Sequence, residues 1–170
     1  MKNNQWITLI GVIAVGLIWI FAIQSEIFLN LFSGPLLIPG EDLQDFLDVS
    51  VSPAFKVYWF GCISAVMLWI GRTLNKRPSS SKETRSMQME WWISAGILLS
   101  FGLITLGWYI TFQFWMNKSS PYELSTYGWL LLAIFIVIDG LILFWMPTLL
   151  STPRNFRLVV PGAVKLLGNR

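Results

Sequence analysis

Residues 127 to 150 form an apolar run interrupted by a single charge, Asp139, near its middle. About 20 such residues cover the roughly 30 Å of hydrocarbon in a bilayer. Three further runs of this kind precede it: Trp6 to Ile23, Ala54 to Gly71 and Trp91 to Met116. The expected fold class is therefore all-α: an integral-membrane four-helix bundle, with residues 1–170 forming a single polytopic domain. Composition points the same way, because 55% of residues are apolar and only 12% charged, against about 45–50% apolar in soluble domains.

The charges that remain sort by segment. Lys2, the loop basics Arg72, Lys76, Arg77, Lys82 and Arg85, and the tail basics Arg154, Arg157, Lys165 and Arg170 fall on one side of the four spans. Lys56 and Lys118 fall on the other, with Glu26, Glu41, Asp42, Asp45, Asp48 and Glu123. Lys and Arg accumulate in cytoplasmic loops, so both termini are expected in the cytoplasm of a cell whose inner (plasma) membrane holds the chain. The apolar start is read as a permanent anchor, since no small-residue cleavage pattern follows it. Tryptophans near the run ends, such as Trp59, Trp69, Trp91 and Trp92, are expected to form interfacial belts in contact with lipid.

The connection from Gln24 to Pro53 is acidic. Within it Leu43, Phe46 and Leu47 recur at helical spacing, with Glu41, Asp42, Asp45 and Asp48 mostly on the other side. A short amphipathic helix is expected there, lying on the outer leaflet. Its acids are a candidate outer partner surface, although solvated charge explains them as well. Small residues mark candidate helix contacts: Gly61 and Ala65 in the second span, and Gly96, Ser100 and Gly107 in the third. The stripe in the third span makes that helix the expected most buried one. Gly11 and Ala14 offer a similar surface in the first.

Asp139 is the one side chain with a candidate chemistry. A charge at a span centre costs about 2.5–3.5 kcal/mol on insertion scales, and its neighbours three, four and seven residues away are all apolar. Any partner must come from another helix, and Ser64 with Cys62, or Ser100 and Thr105, lie at comparable depth. A protonated Asp139 donating to a hydroxyl or backbone carbonyl is the expected arrangement. It serves either as a proton, cation or partner site, or as an interhelical bond that fixes the bundle register.

Several classes are disfavoured. There is no histidine, which removes the commonest metal ligand and general base. The spans contain neither paired carboxylates nor a Ser-Lys couple, so an enzyme is not expected, nor any cofactor or metal. The formal charge of +3 resides beside the spans, which argues against nucleic acid. Lipid and another membrane protein are the expected partners, and homo-oligomerisation is left open.

Four spans, cytoplasmic termini, a long outer first loop, a basic inner loop and a basic tail closing on Val164-Lys165-Leu166-Leu167 resemble the immunity proteins of pore-forming colicins and related bacteriocins. The resemblance lies in layout over nearly the whole chain. It implies an inner-membrane protein that intercepts the pore-forming helices of a toxin through helix-helix contacts. The residues alone also admit a small channel or transporter using Asp139, or an assembly subunit of a larger membrane complex.

Overall fold

The computed structural model describes residues 2–31, 42–75, 78–116, 124–153 and 156–167. Four helical rods are long and apolar enough to cross a membrane: Ile13–Asn30, Leu43–Leu74, Ser81–Phe112 and Thr126–Ser151. The all-α, multi-pass architecture read from the sequence is the one observed. One end of the bundle carries residues 42 and 125 and is acidic. The other carries the 72–90 hairpin and the tail and is basic.

Among the described residues the rods are built from seven α-helical pieces, and an eighth lies in the tail. The first rod joins α1 (Lys2–Ile18) to α2 (Gln24–Leu31) through a π-helical turn, Trp19–Ile23. The second joins α3 (Leu43–Phe46) to α4 (Ser52–Asn75) through a π-turn at Leu47–Val51. The third is α5 (Ser81–Met116). The fourth joins α6 (Thr126–Gly140) to α7 (Met146–Ser151) through a π-turn at Leu141–Trp145, and α8 (Ala163–Leu167) closes the tail.

Two of the π-turns have a covalent cause. Each ends two residues before a proline, Pro53 or Pro147. A proline ring lacks the N–H of the next helical bond and clashes with the carbonyl four residues back. A wider turn relieves that clash without breaking the rod. The first π-turn has no proline near it and serves the site described below.

The amphipathic segment of the first loop is present but stands upright. Asp42 caps it, accepting from the backbone N–H of Gln44 and Asp45 at 3.0 and 3.2 Å. Phe46 and Leu47 are then buried against the bundle, because the rod continues into the second span instead of turning onto the leaflet. A similar cap starts α5. The hydroxyl of Ser80 accepts from the N–H of Glu83, whose carboxylate accepts from the N–H and hydroxyl of Ser79. This is a capping arrangement of the Ser-x-x-Glu type, and it starts the helix directly after Pro78-Ser79-Ser80. With 36 residues at 1.5 Å each, α5 runs to about 54 Å and projects beyond the bilayer.

Helices meet where glycine lets them. A Cβ at Gly102 would lie 2.8–2.9 Å from Ile136 and the ring of Tyr58, and one at Gly16 2.5 Å from the indole of Trp59. A Cβ at Gly61 would lie 2.9 Å from the ring of Phe101, and Ala65 packs on the core. Gly11 has no such neighbour, so the close approach of the first rod is at Gly16 and not on the Gly11–Ala14 side.

The described part of the tail packs on the bundle. Phe156, Val159, Val160 and Ala163 are buried against the basic end, while Trp145 Nε1 donates to the carbonyl of Pro161 at 2.9 Å. Apolar residues spaced between its cations make the tail a plug over the bundle.

Candidate functional site: a polar centre at Asp139

Asp139 sits in the last turn of α6 and is fully buried. Its Oδ1 accepts a hydrogen bond from Trp19 Nε1 at 2.6 Å and its Oδ2 one from Gln24 Nε2 at 3.3 Å. Both donors come from the first rod. In an α-helix residues five apart point about 140° away from each other. Here the Gln24 backbone N–H bonds to the Trp19 carbonyl across the π-turn, and that i to i+5 closure brings both side chains to one face.

The expected partners are therefore replaced. Ser64 is exposed and returns its hydroxyl to the carbonyl of Phe60 on its own helix at 2.9 Å. Ser100 is exposed, whereas Thr105 and Cys62 are buried without being the partners of Asp139. The expected direction is also reversed: the carboxyl accepts twice from N–H groups and does not donate to a hydroxyl or carbonyl. Gln24 escapes a reading of apolar runs because it follows Ile23, where the first run is drawn to a close, and Trp19 because it reads as one more apolar residue of that run. The available signal is that apolar residues resume at Ile27 to Leu31, so the rod continues and Gln24 is an internal polar residue.

Other polar atoms gather nearby. The Tyr58 hydroxyl is buried against the Cys62 thiol and lies 3.0 Å from where a Cβ of Gly140 would sit, next to Asp139. Gln24 Oε1 and Trp59 Nε1 are buried and unpartnered. Towards the basic end, Trp91 Nε1 donates to the Thr148 hydroxyl at 3.1 Å and Trp69 Nε1 to the Thr152 hydroxyl at 3.2 Å. Thr152 in turn donates to the Thr148 carbonyl. Trp59, Trp69 and Trp91 are thus core residues and not belt residues: their indole N–H groups face the bundle, whereas Trp92, Trp108 and Trp129 face outward.

The small-residue candidates divide. Gly61 and Ala65 lie inside, as described. Gly96 and Gly107 would have no atom within 4 Å of an added Cβ, and Ser100 is exposed. Ile93, Ile97, Ile104 and Trp108 around them are more than half exposed. The third rod is the least buried of the last three by share of its span, contrary to the expectation from its stripe. Among the acids, Glu41 lies outside the described residues, Asp42 is consumed as a helix cap, and Asp45 and Asp48 are exposed on the acidic end.

No family model, curated protein or solved structure matches the chain.

Proposed function

We propose that this is a multi-pass protein of a bacterial inner membrane, with both termini cytoplasmic, that works by docking a transmembrane segment of another protein against the outward face of its third span. The observation that carries this reading is the stripe Gly96, Ser100 and Gly107, which faces away from its own bundle. Small residues in line let a second helix backbone approach closely, and helix association in lipid depends on such packing. Beside the stripe an apolar hollow of about 190 Å³, walled in part by Trp92, Ala95, Leu99, Val137 and Leu141, offers room for side chains of that helix. Immunity to a pore-forming bacteriocin is the sharpest form of this function, with the toxin's membrane-inserted helices as the docked segment. The exposed Asp45 and Asp48 would then lie on the side from which the toxin arrives.

The test uses cells producing the full-length chain, challenged with pore-forming bacteriocins, together with a photoreactive residue at Ile97. The expected result is protection against one toxin, its cross-linking to position 97, and loss of both in Gly96→Leu and Gly107→Leu proteins that still fold. Absence of protection and of any cross-linked membrane protein overturns the reading. Recovery of a resident complex subunit in place of a toxin would move the function to assembly. A small transporter using Asp139 is the second reading, favoured by the cleft that reaches Gln24.

A further inference from the structure

The Gln24 amide divides its two ends between two environments. Its Nε2 donates to Asp139, so Oε1 on the opposite side of the planar group turns away from that carboxyl. The residue is 2% exposed, and Oε1 has no hydrogen-bond partner. An unpaired buried carbonyl costs on the order of 1–3 kcal/mol, so something that donates or carries positive charge belongs beside it.

A cleft is there. It lies between the first rod and the upright helix of the first loop, has a volume of about 40 Å³, and is lined by Gln24, Gln44, Asp48 and Ser52 between the apolar walls of Phe28 and Leu47. One water-sized body needs about 10–15 Å³ on this measure. The side chains offer oxygen acceptors: a carboxylate, a hydroxyl and two amide carbonyls. Oxygen ligands of this kind suit hard cations. Ca2+ takes about six to eight oxygen ligands, more than these four side chains supply, and Mg2+ keeps several waters for which a cleft of this size has little room. The cation of this end among the described residues, Lys56, is held over the ring of Phe21 with Nζ 4.8 Å from its centroid, and it does not line the cleft.

We propose that this cleft binds an alkali-metal cation, coordinated by Gln24 Oε1, Asp48, Ser52 and Gln44, and entering from the acidic end. The bound ion polarises the Gln24 amide and strengthens its Nε2–H bond to Asp139, so that occupancy at the acidic end tightens the junction of the first and fourth rods. The site is independent of the helix-docking face.

The experiment is thermal unfolding of the full-length protein in detergent at constant ionic strength, with sodium or potassium chloride replacing N-methyl-D-glucamine chloride. A saturable rise in Tm with sodium, potassium or both is expected, and comparison of the two identifies the ion. Asp48→Asn and Ser52→Ala lie at the mouth and should fold. Each is expected to raise the midpoint concentration about tenfold, the effect of losing one charge-assisted ligand. Sodium-23 line broadening on the same samples, reduced in Asp48→Asn, reads occupancy without reference to stability. Identical Tm values in all three salts, a response to pH alone, or variant midpoints equal to that of the unaltered protein would each overturn the proposal.

Discussion

The indole nitrogen of Trp19 lies 2.6 Å from Oδ1 of Asp139, a residue 120 positions further along the chain. This bond joins the first rod to the fourth at the centre of both. The fourth span, Thr126–Ser151, has Asp139 at its midpoint, and the first, Ile13–Asn30, has Trp19 and Gln24 on either side of its own. Because Trp19 and Asp139 are mid-span groups, water is a poor substitute for the indole donor.

Replacing Trp19 by Phe keeps the ring and removes the donor. The expected loss is about 1–2 kcal/mol, the upper part of the range for interhelical bonds in membranes. Asp139→Leu should cost more, since it leaves two buried N–H groups without an acceptor. Unfolding of single and double variants in bicelles gives the coupling directly. Additive losses for Trp19→Phe and Asp139→Leu would mean that the bond contributes nothing.

The glycines of the third rod should separate by the space around them. Gly102→Ala places a methyl within 3 Å of Tyr58 and Ile136, an overpacking that typically costs about 1–3 kcal/mol. Gly96→Ala meets open space, so only the gain in helix propensity acts, up to about 1 kcal/mol. Equal responses at the two positions would contradict the orientation of α5.

That contrast also explains what a reader of the sequence can and cannot see. The four spans are legible because hydrocarbon excludes charge over whole runs, and Asp139 stands out for the same reason. Which face of a span turns inward is not legible, because lipid tails are as apolar as a core of Leu and Phe. Hence Gly96 and Gly107 look like core contacts when Gly102 and Gly16 fill that role. Trp19 and Gln24 stay hidden because their meeting depends on a π-turn with no proline to announce it. The upright first-loop helix is hidden because Leu43, Phe46 and Leu47 would suit a leaflet or a bundle equally well.

Tryptophan environments follow from the same division. Single-tryptophan proteins retaining Trp69 or Trp91, which are 6% and 3% exposed, should resist quenching by brominated acyl chains. Those retaining Trp92 or Trp108, at 57% and 65%, should be quenched strongly. Thr148→Val should shift the emission of the Trp91 protein, because it removes the acceptor of that indole. Strong lipid quenching at Trp91 would place the residue in a belt and undo the packing at the basic end.

At the hairpin between the second and third rods, Arg72 grips Glu90. Its Nη2 lies 3.0 Å from both carboxylate oxygens, and its Nε 3.2 Å from Oε2. The two side chains are 36% and 43% exposed, so water and salt screen the pair, and a coupling of about 0.2–1 kcal/mol is expected. Its geometry matters more than its charge. Arg72→Lys keeps the charge but loses the planar fork, and it should forfeit most of the coupling. A charge exchange, Arg72→Glu with Glu90→Arg, should restore part of what either single change loses. Double-mutant cycles at low ionic strength and near 1 M salt, where the screening length falls to about 3 Å, read both effects. A coupling that is unchanged at high salt would assign the stability of this hairpin to apolar contacts between α4 and α5 and not to the ion pair.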